Sequence, residues 1–282
     1  MTLPDFLCIG AMRSGTTWLD GILRSHPHIY LPERRKEIHF FDQYYQRGLD
    51  WYEDFFPASA EANQYQRIGE ITPAYLYFPE VAARIQAHLP NCRFIAVLRN
   101  PVDRAYSHYG FHVKNRAETK AFAELIADDS EIFLKGLYGR QIEQYFQYFP
   151  PENFLLMIYE QVIAAPDQAL RQLGSFLSVE PSQFDPASLS QRANSSGYVR
   201  FPKVRAAACG IRDFLRDRDL DWLWNLGRAS GLKSLLETKL DRQDRSLAPI
   251  SAELRLALSE RYAADIAALE KLIDTDLSIW RC

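Results

Sequence analysis

The sequence has no long apolar run, and this absence limits the classes of protein that it can encode. No window approaches the ~20 consecutive apolar residues that a membrane-spanning helix needs. The first residues, MTLPDFLCIGAMR, lack the basic stretch, the apolar core and the cleavage site of a secretory signal peptide. We therefore expect a cytoplasmic protein with no membrane span.

Cysteine is scarce, and basic residues are not in excess. The four cysteines, Cys8, Cys92, Cys209 and Cys282, are far apart and form no C-x-x-C pair, which argues against zinc ribbons and disulfide frameworks. The 33 Lys and Arg against 36 Asp and Glu leave a net charge of -3, which argues against a nucleic-acid partner. The composition is that of an ordinary globular protein for which we expect no metal.

Short apolar runs alternate with helical patterns through the first two thirds of the chain. Strands that alternate with helices predict a doubly wound α/β fold, a P-loop-like parallel sheet with helices on both faces. The predicted strands cover residues 6–9, 29–31, 68–71, 93–99 and 154–160. The predicted helices cover residues 16–25, a stretch from Pro101 and a stretch from Pro166 to Leu177.

The last third has a different pattern. From Phe201 onward the sequence shows helical patterns and no convincing strand, and residues 250–272 are expected to form a packed terminal helix. Turn residues fill the stretch 188–202, SLSQRANSSGYVRFP, which we expect to be a loop.

The loop after the first strand, GAMRSGTTW, has the glycine frame of a phosphate-binding loop but lacks its lysine. In that motif lysine follows the second glycine, whereas here Thr16 follows Gly15. Backbone N–H groups and the start of the next helix would still form an anion cradle. Arg13 adds a guanidinium and Thr17 a hydroxyl. The alternative is a tight glycine turn without a ligand.

A second candidate anion site is the segment VLRNPVDRAYSHY. Arg99 follows a predicted parallel strand, at the edge where open α/β sheets bind ligands. Ser107 lies about two turns along the helix that begins at Pro101, so it would meet Arg99 only on a group held beside that helix. The alternative is a surface arginine and a structural serine.

A third candidate site is PERRKEIHFFD, residues 32–42. A carboxylate beside a histidine and aromatic rings can have its pKa moved toward the working range of a general base, and Glu37, His39 and Asp42 supply those groups. Lys36 can stabilise negative charge. The alternative is a solvated run of charges before a packing turn.

Together these segments resemble the sulfotransferases that use 3′-phosphoadenosine 5′-phosphosulfate (PAPS) as donor. The similarity is greatest to the branch of the Golgi heparan sulfate sulfotransferases and their soluble bacterial relatives. GAMRSGTTWL is similar to that family's 5′-phosphosulfate loop, VLRNPVDRAYSHY to its 3′-phosphate segment and KEIHFFD to the stretch that carries the base. GEITPAYLYFP, NFLLMIYEQV and LSERYAADIAALEKLIDTDLSIW extend the resemblance over nearly the whole chain.

The resemblance implies a sulfotransferase that moves a sulfuryl group from PAPS to an acceptor hydroxyl and releases 3′-phosphoadenosine 5′-phosphate (PAP). It implies one domain over 1–282, with an α/β core over 1–187 and, over 188–282, a loop that covers the nucleotide and C-terminal helices. The implied catalytic residues are Glu37, His39, Arg13 and Lys36, with Asp42 assisting. The implied nucleotide contacts are Arg13, Ser14, Gly15, Thr16, Thr17, Trp18, Arg99, Ser107 and Arg200.

One position departs from the branch. Where its members often carry a lysine in the segment that resembles GEITPAY, this chain has Ile71, which argues against a highly sulfated polysaccharide as acceptor. In the late loop Arg200 or Lys203 would contact the 3′-phosphate. The acceptor is a small molecule, lipid or glycan with a hydroxyl, and the oligomeric state is open.

Two other functions stay open from the residues alone. A P-loop kinase shares the sheet and the loop, but it would need the missing lysine and an aspartate after a strand, for which Tyr159-Glu160 is an awkward substitute. A nucleotide-binding relative without chemistry would bind PAP and be indifferent to changes at Glu37.

Overall fold

The computed structural model describes residues 2–185, 197–199, 201–229 and 243–281. In this part of the chain five parallel strands form one sheet in the order β2-β3-β1-β4-β5. The strands are β1 Phe6–Gly10, β2 Ile29–Tyr30, β3 Arg67–Ile71, β4 Arg93–Leu98 and β5 Phe154–Ile158. All five residues of β1 are buried because it lies between two other strands and is covered on both faces.

Helices connect these strands, so the predicted fold class is confirmed. The helices in the first half of the chain are α1 Thr16–Ser25, α2 Leu49–Glu53, α3 Ser59–Ala62, α4 Pro79–His88, α5 Pro101–Arg116, α6 Phe122–Leu125 and α7 Glu131–Leu134. The later helices are α8 Tyr138–Phe146, α9 Tyr159–Ala164, α10 Pro166–Leu177, α11 Pro202–Asp217, α12 Asp221–Ala229 and α13 Ala252–Ile273. In the described residues no helix has both the length and the hydrophobicity to cross a bilayer.

The helix starts follow the local sequence signals. α1 has the predicted bounds, and its predicted apolar face, Leu19, Ile22 and Leu23, is fully buried. At the start of α5 the side chain of Asn100 accepts hydrogen bonds from the N–H groups of residues 102 and 103, at 2.9 and 3.3 Å. Asparagine followed by proline therefore caps this helix as predicted.

The prediction of no strand after Phe201 is wrong. Residues Gln243–Ser246 form β7, which pairs in antiparallel orientation with β6, Gly197–Val199, inside the stretch predicted as loop. The sequence QDRS has neither alternation nor apolar residues, so only pairing with a distant segment makes it a strand. Residues 188–196 and 200 of the predicted loop lie outside the described residues.

The chain divides into two compact units that do not follow its order. The first comprises Met1–Arg104, Lys135–Ala193 and Ser259–Cys282, and it contains the five-stranded sheet. The second comprises Ala105–Leu134 and Asn194–Leu258, with the two-stranded sheet. A single domain with a core that ends at residue 187 stays a prediction.

The carboxyl ends of the parallel strands lie at one edge of the sheet. The loops and helices that begin there follow Gly10, Tyr30, Ile71, Leu98 and Ile158. Because ligands of open α/β sheets bind at this edge, the side chains just beyond these ends form the candidate site.

Candidate active site

The loop between β1 and α1 has the backbone conformation of an anion cradle. Arg13 and Gly15 have φ angles of 71° and 94°, in the left-handed region. A Cβ atom at Gly15 would lie 3.0 Å from the ring of Tyr159, so both the turn and the space favour glycine. Among the described residues no side chain caps α1 at Gly15, which leaves the first N–H groups of the helix able to bind an anion.

The side chains of this loop differ in how far they are buried. Ser14 is fully buried, Thr16 is nearly buried and Thr17 is exposed. Trp18 is only 8% exposed and packs in the apolar core, so its predicted contact with the nucleotide stays a prediction. Lys36 reaches the start of α1, where its Nζ donates to the Thr16 carbonyl at 3.4 Å and to Thr17 Oγ1 at 3.5 Å.

Arginines gather behind the loop. Arg99 Nη1 donates to the Arg13 carbonyl at 3.4 Å, and its guanidinium lies 4.9 Å from the centre of the Tyr159 ring. Burial lowers the pKa of Arg13, and the charges of Arg99 and the fully buried Arg104 lower it further. Cations that crowd a buried region in this way favour an anionic ligand.

The general base predicted from the sequence lies beside a protonated histidine. His39 Nδ1 is 2.9 Å from Asp42 Oδ2, and His39 Nε2 is 3.5 Å from Glu37 Oε2. Burial lowers the pKa of His39, but hydrogen bonds and charge from both carboxylates outweigh this and raise the pKa to about 9. At neutral pH His39 is therefore a cation that holds Glu37, and the carboxylate is the group able to accept a proton.

Asp42 sets the charge of His39, and this can be measured. We expect Asp42→Asn to bring the His39 pKa from about 9 back toward 6.5, because the shorter of its two carboxylate contacts is lost. Imidazole resonances followed by NMR against pH report this directly. Asp50→Asn, an exposed aspartate on α2, is the matched control.

The same shift makes stability depend on pH. Since the folded pKa of about 9 exceeds the unfolded value of 6.5, the stabilisation is complete below pH 6.5 and is lost as pH rises through 9. It amounts to on the order of 3 kcal/mol in the wild type and less in Asp42→Asn. A wild-type His39 that titrates near 6.5 would contradict this assignment.

A buried carboxylate supports the segment that carries Glu37 and His39. Glu70 is fully buried and accepts hydrogen bonds from the hydroxyls of Tyr52, Thr72 and Tyr75 at 2.5, 2.5 and 2.8 Å. Burial raises the pKa of Glu70, while the three hydroxyls and the charge of His39 oppose that rise.

Two of these hydroxyls hold the backbone around His39. Thr72 Oγ1 accepts from the N–H of His39 at 3.5 Å, and the Tyr75 hydroxyl accepts from the N–H of Phe41 at 3.3 Å. His39 itself has a φ of 61°, in the left-handed region, so its conformation needs such support. The sequence analysis missed this network, although Glu70, Thr72 and Tyr75 all lie in the segment GEITPAY.

We expect Tyr75→Phe to lower the free energy of unfolding by about 1–3 kcal/mol, because it leaves Glu70 and the N–H of Phe41 each short of a buried partner. The matched control is Tyr145→Phe, a buried hydroxyl that donates only to the Tyr75 carbonyl at 3.0 Å. Urea unfolding should show the larger loss for Tyr75→Phe. Equal losses would mean that the Glu70 network adds nothing beyond an ordinary hydrogen bond.

Glu160, the carboxylate that a kinase would have to recruit, has a structural role. Its Oε1 accepts from the Asn100 N–H and its Oε2 from Trp280 Nε1, both at 2.9 Å. The Asn100 side-chain amide also donates to the Trp280 carbonyl at 3.2 Å. Glu160 thus joins the end of β4 to the last residues of the chain.

The structure does not bring together all the predicted residues. Ser107 lies on α5 in the second compact unit, and its convergence with Arg99 on one phosphate stays a prediction. Arg200 lies outside the described residues, and Lys203 is exposed on α11. Ile71, which stands where the related branch often has lysine, is buried in the core at the end of β3.

The chain shares its family and its fold with known proteins. A profile described as the sulfotransferase domain matches residues 3–200. Over its full length the chain superposes on a sulfotransferase from Alicyclobacillus acidocaldarius, also over that protein's full length, with a TM-score of 0.72 and 25% identity.

Curated relatives are matched over part of their length. The membrane-associated sulfotransferase kil1 of Dictyostelium discoideum is 35% identical over 147 residues, 50% of this chain and 31% of that protein. Mouse heparan sulfate glucosamine 3-O-sulfotransferase 3A1 is 33% identical over 187 residues, 63% of this chain and 46% of that protein. The chain thus spans less than half the length of these two relatives. Because the domain profile covers more than half of its residues, the chain belongs to the sulfotransferase family.

Proposed function

We propose that the protein transfers the sulfuryl group of PAPS to a hydroxyl of its acceptor, with Glu37 as the general base. The observation that carries this proposal is the position of Lys36, which precedes Glu37 in the chain and donates from Nζ to the Thr16 carbonyl at 3.4 Å and to Thr17 Oγ1 at 3.5 Å. The segment that carries the predicted base therefore contacts the predicted anion-binding loop. A nucleotide loop and a base in one site are what sulfuryl transfer requires.

The residues present fit the donor. The left-handed loop, with glycine where a Cβ would approach Tyr159, leaves backbone N–H groups for the 5′-phosphosulfate. Arg99 would hold the 3′-phosphate, which a triphosphate nucleotide lacks. The donor has no β- and γ-phosphates for a lysine to bind, which accounts for threonine at residue 16, where triphosphate enzymes have lysine.

When bound, PAPS supplies an activated sulfuryl group, and the chain's own residues manage the charges and the proton. Glu37 accepts the proton of the acceptor hydroxyl, while His39, held by Asp42, fixes the orientation of Glu37. Arg13 and Lys36 stabilise the negative charge that develops on the departing phosphate. Arginine keeps its proton in proteins, so Arg13 acts by charge alone.

The acceptor is a small molecule, lipid or glycan that carries a hydroxyl. The relatives' names include glucosamine 3-O-sulfotransferases, which favours sugar hydroxyls as the first to be tried. Residue 71 is isoleucine where the related branch often has lysine. The absence of this positive charge argues for a less sulfated acceptor than heparan sulfate. Localisation in the cytoplasm and independence of metal stay predictions.

A transfer assay tests the proposal. Radiolabelled PAPS is incubated with the protein and a panel of sugars, phenols and long-chain alcohols, with and without EDTA, and labelled product and PAP are measured. We expect acceptor-dependent PAP release that EDTA does not reduce. Transfer of the γ-phosphate from magnesium-ATP to the same panel, without release of PAP from PAPS, would show a kinase instead.

A further inference from the structure

A small cavity lies against the first residues of the nucleotide loop. The room inside it is about 10 Å³, enough for about one water-sized group, and its walls include Ala11 and Met12 of the loop, Pro73 and Tyr77 after β3, and Lys135 between α7 and α8. These residues all belong to the first compact unit. No residue between α7 and α8 was singled out from the sequence.

Lys135 is the charged side chain among the described residues that line this cavity. The residue is only 6% exposed, and its Nζ lies 5.1 Å from the centre of the Tyr77 ring. The ring supports the ammonium group, and the apolar stem packs against the cavity wall. Gln141, 8% exposed on α8, adds an amide that can donate hydrogen bonds.

We propose that Lys135 and Gln141 bind one sulfonate oxygen of the donor. An ammonium group has three N–H donors and no acceptor, so it selects an oxygen-rich anion. Walls of alanine, methionine and proline offer a larger ligand few polar contacts. One oxygen of an anionic group fits both the size and the chemistry. This inference rests on the proposed function, since the sulfonate reaches the cavity only when the loop holds the 5′-phosphate.

The position of Lys135 also explains how the site can lack lysine at two positions of the sequence. Residue 16 of the phosphate loop is threonine instead of lysine, and residue 71 is a buried isoleucine. Lys135 lines the same cavity as the loop residues Ala11 and Met12 and as Pro73, two residues beyond Ile71. A lysine distant in sequence therefore places positive charge beside both segments.

The test compares PAPS with PAP, which differ only in the sulfuryl group. Calorimetric titrations without acceptor use the wild type, Lys135→Gln, Lys135→Arg and the control Lys271→Gln, which removes an exposed lysine of α13. We expect Lys135→Gln to weaken PAPS binding about tenfold or more and to leave PAP binding unchanged, because one charge-assisted contact is lost. Lys135→Arg should retain most of the affinity, and Lys271→Gln all of it.

Other results overturn the inference. If PAPS and PAP weaken equally, or neither weakens, Lys135 does not contact the sulfonate. If only the KM of the acceptor rises, the cavity binds an anion of the acceptor instead. If the Lys135→Gln protein fails to fold, Lys135→Arg and Gln141→Leu are compared with the wild type instead. Gln141→Leu should also weaken the binding of PAPS and leave that of PAP unchanged. If the wild type binds neither nucleotide, the proposed function itself fails. The wild type therefore tests the proposed function, and the Lys135 variants test the further inference.

Discussion

Replacing Glu37 by glutamine lowers kcat about 10²–10⁴-fold, the range that a positioned general base contributes. Glutamine keeps the size of the side chain and can still contact His39, but it cannot take a proton from the acceptor hydroxyl. PAP binding should be unchanged, because Glu37 does not contact the nucleotide in the proposed mechanism. Turnover is measured as PAP release with the best acceptor from the transfer assay, and PAP binding by calorimetry.

The control for Glu37→Gln is Glu33→Gln, which removes an exposed carboxylate four residues earlier in the same segment. It should leave kcat within about twofold of the wild type, as expected of a surface substitution. A Glu37→Gln enzyme with full activity would remove Glu37 from catalysis. Intact PAP binding with no turnover in the wild type would instead favour a nucleotide-binding relative without chemistry.

Replacing Arg99 by alanine weakens PAP binding about 10–100-fold, because a charge-assisted contact with the 3′-phosphate is lost. Binding of adenosine 5′-phosphate, which lacks the 3′-phosphate, should hardly change. The discrimination between the two nucleotides therefore shrinks in the variant. This ratio separates a 3′-phosphate contact from a general loosening of the loop, which would weaken both nucleotides.

Arg93 offers a matched control for Arg99 at the other end of β4. Its Nη1 donates to the Phe176 carbonyl at 2.6 Å, and its guanidinium lies 5.9 Å from the Phe176 ring. Arg99 makes the same two kinds of contact, to a carbonyl and to a ring. Arg93→Ala should therefore cost stability without changing the preference for PAP. Equal effects of the two substitutions on that preference would contradict the assignment of Arg99.

The parallel sheet could be predicted because its signals are local. Short apolar runs that end at glycine, or before an Asn-Pro capping signal, mark buried strands and the helices that follow them. β1 and α1 therefore begin and end within a residue of their predicted bounds. The strand β7 could not be predicted, because its four residues gain strand structure only from their pairing with β6.

The chemistry of the site could be predicted only in part, because some of it depends on contacts between segments that are distant in sequence. The residues Glu37, His39 and Asp42 are close in sequence, so their proximity was expected. The protonated state of His39 depends on burial and on the distances to both carboxylates, which only the folded chain fixes. The role of Glu70 depends on its burial and on Tyr52 and His39 of another segment, and the role of Lys135 depends on its burial and on Tyr77.

The central claim is that the loop after β1 binds a nucleotide with a 3′-phosphate. Calorimetric titration of the purified protein with PAP, adenosine 5′-phosphate and magnesium-ATP tests it most directly. We predict that PAP binds without magnesium and at least about tenfold more tightly than adenosine 5′-phosphate, because the 3′-phosphate adds charge-assisted contacts. Magnesium-dependent binding of ATP that equals or exceeds that of PAP would contradict the claim and would make the protein a kinase.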